Sequence, residues 1–325
     1  MASNSNQKKQ PNGKKPTGTA SSSPRFSYLF LARLLVLLSI LLGLAFYAWR
    51  SSSYRSAIKS AELLISNERN REASKAVNAI KDAYGENAQL RLLLAKTYRQ
   101  AGKQDQFMRE LELAEPLGLE LATVQGEKLL FDAQSGTLPN VRADVGQWLE
   151  SHPQEFEDAG RSIAFGLLRK EDFDGVNNFL STWQQQSPGS PRIAWFRSMI
   201  HLARREWKKA LSELEPALKE HPDFLPFYLN AGTAYSGDQQ FEKAEAAFEK
   251  YLAKEPEEWD AWLKYSEVLR KLGKANDALK KLQPIAQNPG LPPSLRLQLG
   301  KLYLEAGDHQ KTIDTVLGQI GRAHV

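Results

Sequence analysis

The side chains that most often carry out catalysis are sparse in this sequence. Cysteine is absent, which excludes disulfides, thiolate metal sites, iron–sulfur clusters and cysteine nucleophiles. The five histidines are scattered, and the sequence contains no HExxH motif, no phosphate-binding glycine loop and no GxSxG motif. His201 takes the place of a helix-packing aromatic, where a hydrogen-bonded core histidine is the expected role. We therefore predict a chain that is not an enzyme and that has no metal site and no cofactor.

Aromatic and cationic side chains offer a different chemistry, that of binding. On the segment that begins at Pro191, several such residues share one helical face because they are spaced by three or four positions. Aromatic rings beside arginines can seat an apolar or aromatic peptide with a carboxylate nearby. The alternative is that Trp195 is a structural aromatic, since a shift of one residue in the register moves it into the core. The predicted peptide groove consists of Arg161, Phe165, Arg192, Trp195, Phe196, Met199 and Asn230.

A repeating pattern with a period of about 34 residues organises the chain after residue 53. Its clearest unit, residues 225–258, carries Gly232 and Tyr235 on a first helix and Ala244 and Phe248 on a second. Alanine at the closest approach lets two antiparallel helices pack, and stacking on neighbouring units buries the apolar side of each hairpin. With one extra residue near position 156, the frame gives eight units that start near 54, 88, 122, 157, 191, 225, 259 and 293.

This pattern resembles the tetratricopeptide repeat family. Units 191–224 and 225–258 match it closely, whereas the units that start near 54, 122 and 157 match it loosely. The resemblance implies an all-α fold, a right-handed superhelix of about eight tandem helical hairpins over residues 54–319, whose concave wall binds a protein or peptide. Some family members hold chaperone tails with a Lys/Asn/Arg clamp, which is not matched here because only Asn230 and Lys264 have suitable chemistry.

The positive net charge belongs to the N-terminal segment. The formal charge is +5, but residues 1–53 hold seven Lys and Arg residues and no acid, which leaves 36 bases against 38 acids in the rest of the chain. A nucleic-acid-binding domain concentrates positive charge on its folded part, so we expect no nucleic-acid partner. Residues 1–27 are almost entirely polar and are predicted to form a disordered basic tail.

Residues 28–49 form an apolar run whose 22 residues, at ~1.5 Å each, match the thickness of a bilayer core, about 30 Å. Its one charge, Arg33, lies near an end, where a long side chain reaches the headgroups. A buried soluble helix, a cleaved signal peptide and a mitochondrial presequence are alternatives. The run is apolar on every face, it is long for a signal peptide, and Phe46 occupies a position where cleavage needs a small residue. We therefore predict an uncleaved transmembrane helix.

The distribution of basic residues predicts the orientation of this helix. Five Lys and Arg residues precede it and three follow closely, so the N terminus is expected on the cytoplasmic side and the repeats on the far side. In a Gram-negative cell, the far side of the inner membrane is the periplasm.

The combined features predict a single-pass, membrane-anchored scaffold that binds a protein or peptide and helps to assemble an envelope complex. One alternative is the accessory repeat region of a longer enzyme or electron-transfer protein whose active domain lies beyond residue 325. Another is a eukaryotic organelle-membrane receptor with cytosolic repeats, which the missing clamp disfavours. The gene sequence downstream of residue 318 distinguishes these hypotheses.

The last six residues, 320–325, depart from the repeat pattern. They can be encoded by ATC GGA AGA GCA CAC GTC, which reads as a common short-read sequencing adapter, and a preceding AG completes a codon for Gln319. Repeat arrays need a polar capping element at their terminus, and none follows the unit that starts near 293. We therefore expect residues 320–325 to be a sequencing artefact and the native protein to continue.

Overall fold

The computed structural model describes residues 28–286, 288 and 290–320, with side chains between residues 33 and 315. The chain divides into two compact units, Met1–Ser53 and Tyr54–Val325. The predicted basic tail, residues 1–27, lies outside the described residues, as do residues 321–325 of the predicted artefact.

The described residues form sixteen α-helices and no β-strand, which confirms the all-α prediction. Two short 3₁₀ helices, Glu115–Leu117 and Pro153–Glu155, lie between them. The helices are α1 (Tyr28–Ser66), α2 (Asn70–Tyr84), α3 (Ala88–Gln100), α4 (Gln104–Ala114), α5 (Leu121–Ser135), α6 (Val141–Ser151), α7 (Phe156–Arg169), α8 (Phe173–Gln186), α9 (Pro191–Ala203), α10 (Trp207–Glu220), α11 (Pro226–Gly237), α12 (Phe241–Leu252), α13 (Trp259–Lys271), α14 (Ala275–Ala286), α15 (Pro293–Glu305) and α16 (His309–Ile320).

In the first unit, the described part of α1 is apolar and exposed. Every described side chain between residues 33 and 49 is exposed, including Leu41, Leu44 and Phe46. Among the described residues, α1 is the one helix long and apolar enough to cross a membrane, and a signal sequence near the N terminus meets the same criteria. The expected N-terminal apolar helix is therefore present.

In the second unit, every described hairpin turns through one residue with a left-handed backbone. Four of these residues are glycines and four carry side chains, and their φ angles lie between 56° and 80°. They recur with the period of the sequence, except that the step from Gly136 to Glu171 is one residue longer than the others. The period of the sequence is therefore also a period of turns. The left-handed residues are Glu68, Gly102, Gly136, Glu171, Arg205, Gln239, Gly273 and Gly307.

Helix starts follow from local capping chemistry. The Asn87 side chain accepts a hydrogen bond from the Leu90 N–H at 3.0 Å and so caps α3, whereas Asp172 caps α8. Helices α9, α11 and α15 begin with proline, whose fixed φ and missing N–H suit the first turn. These signals begin four first helices, α3, α9, α11 and α15, and one second helix, α8.

Small residues hold the two helices of each hairpin close together. The side chains of Ala210, Ala244 and Ala278 on the second helices are fully buried. On α11, a Cβ added to Gly232 would lie 2.9 Å from the Phe248 ring of α12. The hairpins thereby bury an apolar layer between first and second helices, which supports the stacked array.

The loosely matching unit near residue 122 folds as a hairpin through a different small-to-large contact. Gly126 of α5 lies against the indole of Trp148 of α6, and a Cβ added to the glycine would meet that ring at 2.8 Å. A glycine that weakens the sequence pattern therefore accommodates the largest side chain of its hairpin.

Candidate functional site

The structure buries most of the side chains that the sequence assigns to a peptide groove. Trp195 of α9 packs against the rings of Phe165, Phe196 and Phe224, with ring centroids 5.3, 5.0 and 5.6 Å away. These aromatics belong to the apolar core that runs from α5 to α12, so they do not form an open surface in this chain. Peptide binding at these residues stays an untested prediction. Arg161, Arg192, Trp195, Phe196 and Asn230 are buried, whereas Phe165 and Met199 are partly buried.

The two buried arginines of the predicted groove meet a carboxylate from the first hairpin. Glu68 lies in the turn between α1 and α2, yet its Oε1 and Oε2 accept hydrogen bonds from Arg161 Nε at 2.8 and 2.9 Å. Oε1 also accepts a hydrogen bond from Arg192 Nη2 at 2.9 Å. One acidic residue therefore bridges first helices α7 and α9, which lie 93 and 124 residues further along the chain.

A second set of buried charges continues this cluster along the first helices. Arg99 of α3 is fully buried and donates from Nε to Glu127 of α5 at 2.9 Å. It also forms an ion pair with Asp158 of α7 and donates from Nη1 to Ser162 at 3.1 Å. We call Glu68, Arg99, Glu127, Asp158, Arg161 and Arg192 the inner-wall charged cluster.

The charges of the inner-wall charged cluster balance, with three arginines and three carboxylates. Burial opposes ionisation of Asp158, but the attraction of Arg99 and Lys96 outweighs it and holds the pKa of this carboxyl well below its usual range. Burial lowers the pKa of Arg161; the attraction of Glu68 opposes this effect, and repulsion from Arg192 adds to it. The cluster therefore depends on every partner being present.

Sequence reasoning missed Glu68, Arg99, Glu127 and Asp158. A weak signal was available, because arginines on a face shared with aromatics need a counter-charge once that face is buried. The sequence does not reveal the identity of that counter-charge, since the partner of Arg192 lies 124 residues away in a turn with no motif. His201 does have a local partner, for its Nδ1 lies 2.7 Å from Glu206 Oε2.

An open groove lies on the first helices of the last three hairpins, whereas on α7 and α9 the corresponding surface is occupied by packed side chains. A cavity of about 310 Å³ lies among α11, α12, α13 and α15. Its floor is apolar, with Phe248 and Leu263, and its rim is polar, with Gln298 Nε2 donating to Glu267 Oε2 at 3.1 Å. We call its lining residues the C-terminal groove: Thr233, Ser236, Phe248, Leu263, Lys264, Glu267 and Gln298.

Leucines recur with the repeat period on the first helices that carry this groove, and one of them, Leu263, lines it. Leu229, Leu263 and Leu297 occupy equivalent repeat positions on α11, α13 and α15, and each is followed by a residue whose side chain has an N–H donor. The side chain of Leu297 is 49% exposed, and Leu304, further along α15, is 54% exposed. Exposed apolar side chains such as those of Leu297 and Leu304 suit contact with the apolar side chains of a peptide.

A larger cavity, about 1050 Å³, lies between α14, α15 and α16 but has a different character. It draws no residue from α11 or α13, and its lining includes Lys280, Asp308, Lys311 and Asp314. Such a set of charged side chains is typical of a solvated gap between second helices. Among the described residues, no group of three or more His, Asp or Glu side chains is placed to hold a metal ion.

Comparison with known proteins identifies the repeat. A family model described as tetratricopeptide repeat matches residues 229–292, which include most of the C-terminal groove. No curated protein matches the chain. The expected tetratricopeptide repeat resemblance and superhelical fold are therefore confirmed, and this fold is one of protein–protein interaction scaffolds.

One solved structure shows the same fold at low sequence identity. The APC/C hetero-tetramer Cut9–Hcn1 is similar with a TM-score of 0.58 and 14% identity, covering 81% of this chain and 52% of that chain. This chain thus spans about half the length of that protein. Yeast Tom70 is 14% identical with a TM-score of 0.42, covering 78% of this chain and 62% of that one. A tetratricopeptide repeat protein from Parabacteroides merdae ATCC 43184 is 12% identical with a TM-score of 0.37, covering 81% and 91%.

Proposed function

We propose that this tetratricopeptide-repeat chain is a membrane-anchored, non-catalytic scaffold that binds a peptide segment of a partner protein in its C-terminal groove. The observation that carries the proposal is the open groove of about 310 Å³ on the first helices, with Leu263 in its lining. The inner-wall charged cluster and the aromatics around Trp195 are buried or partly buried. A partner peptide therefore docks where the wall is both apolar and accessible.

The groove chemistry defines the kind of peptide. The Leu263 side chain in the lining favours a segment with apolar side chains, and an apolar anchor buried in such a pocket supplies most of the binding free energy. Lys264, whose side chain is 39% exposed, offers N–H donors to the carbonyl oxygens or to a carboxylate of the segment, and Glu267, which is 41% exposed, accepts from its N–H groups. The preferred ligand is an apolar segment with flanking polar residues.

The test uses the full chain in detergent and a peptide selected on it from a random library. The variant Leu297→Glu places a charge one residue before the groove residue Gln298, at a side chain that is already 49% exposed, so the fold tolerates it. We expect it to weaken binding of the selected peptide at least tenfold. The matched control is Leu121→Glu at the start of α5, where the side chain is 65% exposed and outside the groove. Equal affinity of both variants, measured by calorimetry, would contradict the proposal.

The anchor part of the proposal rests on the exposed apolar stretch of α1. The exposed apolar side chains of residues 33–49 need a bilayer, and the basic residues that precede the stretch favour a cytoplasmic N terminus. The repeats then lie on the far side of the membrane, which is the periplasm of a Gram-negative cell, where the scaffold assists an envelope complex. After a wash in alkaline carbonate the protein should stay in the membrane pellet, and protease added from the far side should digest the repeats. A mature N terminus near residue 49 would instead identify a signal peptide.

A further inference from the structure

The turn between α1 and α2 reaches across to helices that are remote in sequence. Besides the contacts of Glu68, the Ser66 carbonyl oxygen accepts a hydrogen bond from Arg192 Nη2 at 3.3 Å. At the start of α2, the Arg71 backbone N–H donates to Glu255 Oε1 at 3.2 Å, between α12 and α13. The turn therefore contacts the first helices of two later hairpins and the connection after a third.

The described contacts that attach this turn to the later hairpins are polar. Two further ion pairs, Arg71 with Glu257 and Lys254 with Glu72, each span 3.4 Å at the surface. The apolar core of the first hairpin, which includes Ile58 and Ile65, is a separate cluster from the core that contains Trp195. A polar contact between separately packed elements resembles a transient interface more than a shared core.

We call the site that holds the Glu68 carboxylate its seat, and the contacts that shape this seat do not involve Glu68. The Arg161 guanidinium donates from Nη1 to Gln134 Oε1 at 2.6 Å and from Nη2 to the Gln100 carbonyl oxygen at 2.9 Å. The Arg161 guanidinium also lies over the Phe165 ring, with Cζ 4.7 Å from the ring centroid. These contacts orient the remaining N–H group, Nε, toward the Glu68 position. Arg161 is therefore pre-organised for a carboxylate.

The fit of the turn in this seat is incomplete. Three buried polar atoms at or beside it, Arg69 Nε, Asn70 Oδ1 and Gln100 Oε1, have no hydrogen-bond partner. Buried polar groups in a settled core are almost always paired. Glu68 thus matches the positive charge of Arg161 and Arg192, whereas three neighbouring polar atoms have no hydrogen-bond partner in the protein.

We propose that Arg161 and Arg192 form a carboxylate-binding site on the first helices, and that Glu68 occupies this site as an internal ligand which an external carboxylate can replace. The ligand class is a carboxylate on a short aliphatic stem, as in Glu68 itself. The proposal is independent of peptide binding in the C-terminal groove, because the two sites share no residue and are tested with different variants.

The experiment removes the internal ligand and supplies its chemical equivalent. Glu68→Gly deletes a propionate-sized side chain, and glycine suits the positive φ of 57° at this position, so the backbone is not strained by the change. We expect the melting temperature of the full chain in detergent to fall by about 5 °C or more, because two buried guanidinium groups lose the carboxylate they share, and Glu157, at 3.6 Å from Arg192 Nη1, is left as a weaker partner of one of them. Sodium propionate at about 50 mM should recover at least half of this loss, saturably, since bound ligand stabilises the folded state.

Three controls separate site binding from general salt effects. Sodium chloride of equal ionic strength screens surface charges without filling the site, and propionamide has the shape of propionate without its charge. Neither should restore the Glu68→Gly variant. Adding Arg192→Ala to Glu68→Gly should abolish the response to propionate. If propionate raises the melting temperature of wild type and variant equally, or if Glu68→Gly melts like wild type, the proposal is wrong.

A second measurement keeps the proposal testable if Glu68→Gly does not fold. Because the chain has no cysteine, Ser66→Cys and Ala253→Cys give a unique pair of spin labels at two exposed positions, one beside the turn and one after α12. In this labelled background, Glu68→Gln keeps the side-chain shape and removes the charge. We expect a narrow distance distribution with Glu68 and a broad one in the Glu68→Gln variant. An unchanged distribution would overturn the role of the carboxylate as the ligand that holds the turn.

Discussion

At the scale of single residues, the unusual feature of this chain is the burial of three guanidinium groups. Arg99, Arg161 and Arg192 are 0%, 2% and 5% exposed, respectively. Removing such charges from water costs several kcal/mol each, and this cost is offset only when every charge keeps a well-placed partner. Single-residue variants of the inner-wall charged cluster should therefore be costly, because each leaves a buried charge without its partner.

The first prediction concerns the pH dependence that Asp158 confers. Its pKa is lower in the folded chain than the unfolded value of about 3.9, so its stabilisation is present above pH 4 and is lost as the pH falls below that value. We expect wild type to lose about 1 kcal/mol more than Asp158→Asn between pH 4 and pH 3, measured by urea unfolding. The control is Asp174→Asn, whose carboxylate is 94% exposed. Parallel pH profiles for wild type and Asp158→Asn would contradict the assignment.

The second prediction decides the role of Trp195. Its side chain is 8% exposed and packs among three phenylalanines, so Trp195→Ala should lower the free energy of unfolding by about 3–5 kcal/mol. Leu297→Ala, at an exposed leucine of α15, should cost less than about 1 kcal/mol. Denaturant unfolding followed by circular dichroism gives both values. A Trp195→Ala variant of wild-type stability that binds its partner less well would instead support the predicted aromatic groove.

At the scale of elements, the backbone conformation of the turns repeats more regularly than the residue pattern of the helices. All eight turns described within the hairpins use a left-handed residue, although half of these positions hold residues other than glycine. A side chain in that conformation costs about 1–2 kcal/mol because its Cβ approaches the carbonyl oxygen. The tertiary packing of the hairpin helices compensates for this cost.

The third prediction exchanges residues at two of these turns. Gln239 has an exposed side chain and a φ of 61°, so Gln239→Gly should raise the free energy of unfolding by about 0.5–1 kcal/mol. Gly273→Ala should lower it by about 1 kcal/mol through the backbone alone, because an added Cβ has no atom within 4 Å. Thermal or urea unfolding of the two variants measures these opposite shifts. Shifts of the same sign would show that side-chain contacts outweigh the backbone at these turns.

At the scale of the whole molecule, the two units have opposite surfaces. The described part of the first unit exposes a continuous run of apolar side chains, whereas the second unit buries its apolar residues in clusters that begin at Ile58. Such a division indicates that the second unit folds without the first, since the described core residues all lie after residue 53.

The fourth prediction follows from that division. A chain that begins at Tyr54 should be soluble without detergent and should keep the helix content of the array, whereas the full chain should require detergent. Sedimentation and far-ultraviolet circular dichroism test this outcome. A truncated chain that still sediments with membranes would show that the array itself binds the bilayer.

The repeat period and the apolar run can be predicted from the sequence because they depend on residues that are close to one another along the chain. Gly232 with Phe248 and Ala244 in its hairpin follow from helical spacing within a single repeat, so the helical hairpin and the all-α superhelix could be predicted. The candidate site was less predictable. The spacing of Arg192 and Trp195 indicates that they share one helical face. It does not decide whether that face is an open groove or is buried in the core.

The pairing of Glu68 with Arg161 and Arg192 has no counterpart in the periodic pattern. Each hairpin packs on the next, and the small rotation at every step accumulates until the first turn meets helices 93 and 124 residues later. That accumulated rotation depends on the packing of all intervening hairpins, which no local spacing encodes. The repeat is thus a property of residue order, whereas the filled wall, its internal carboxylate and the open C-terminal groove arise from the three-dimensional stacking of the repeats.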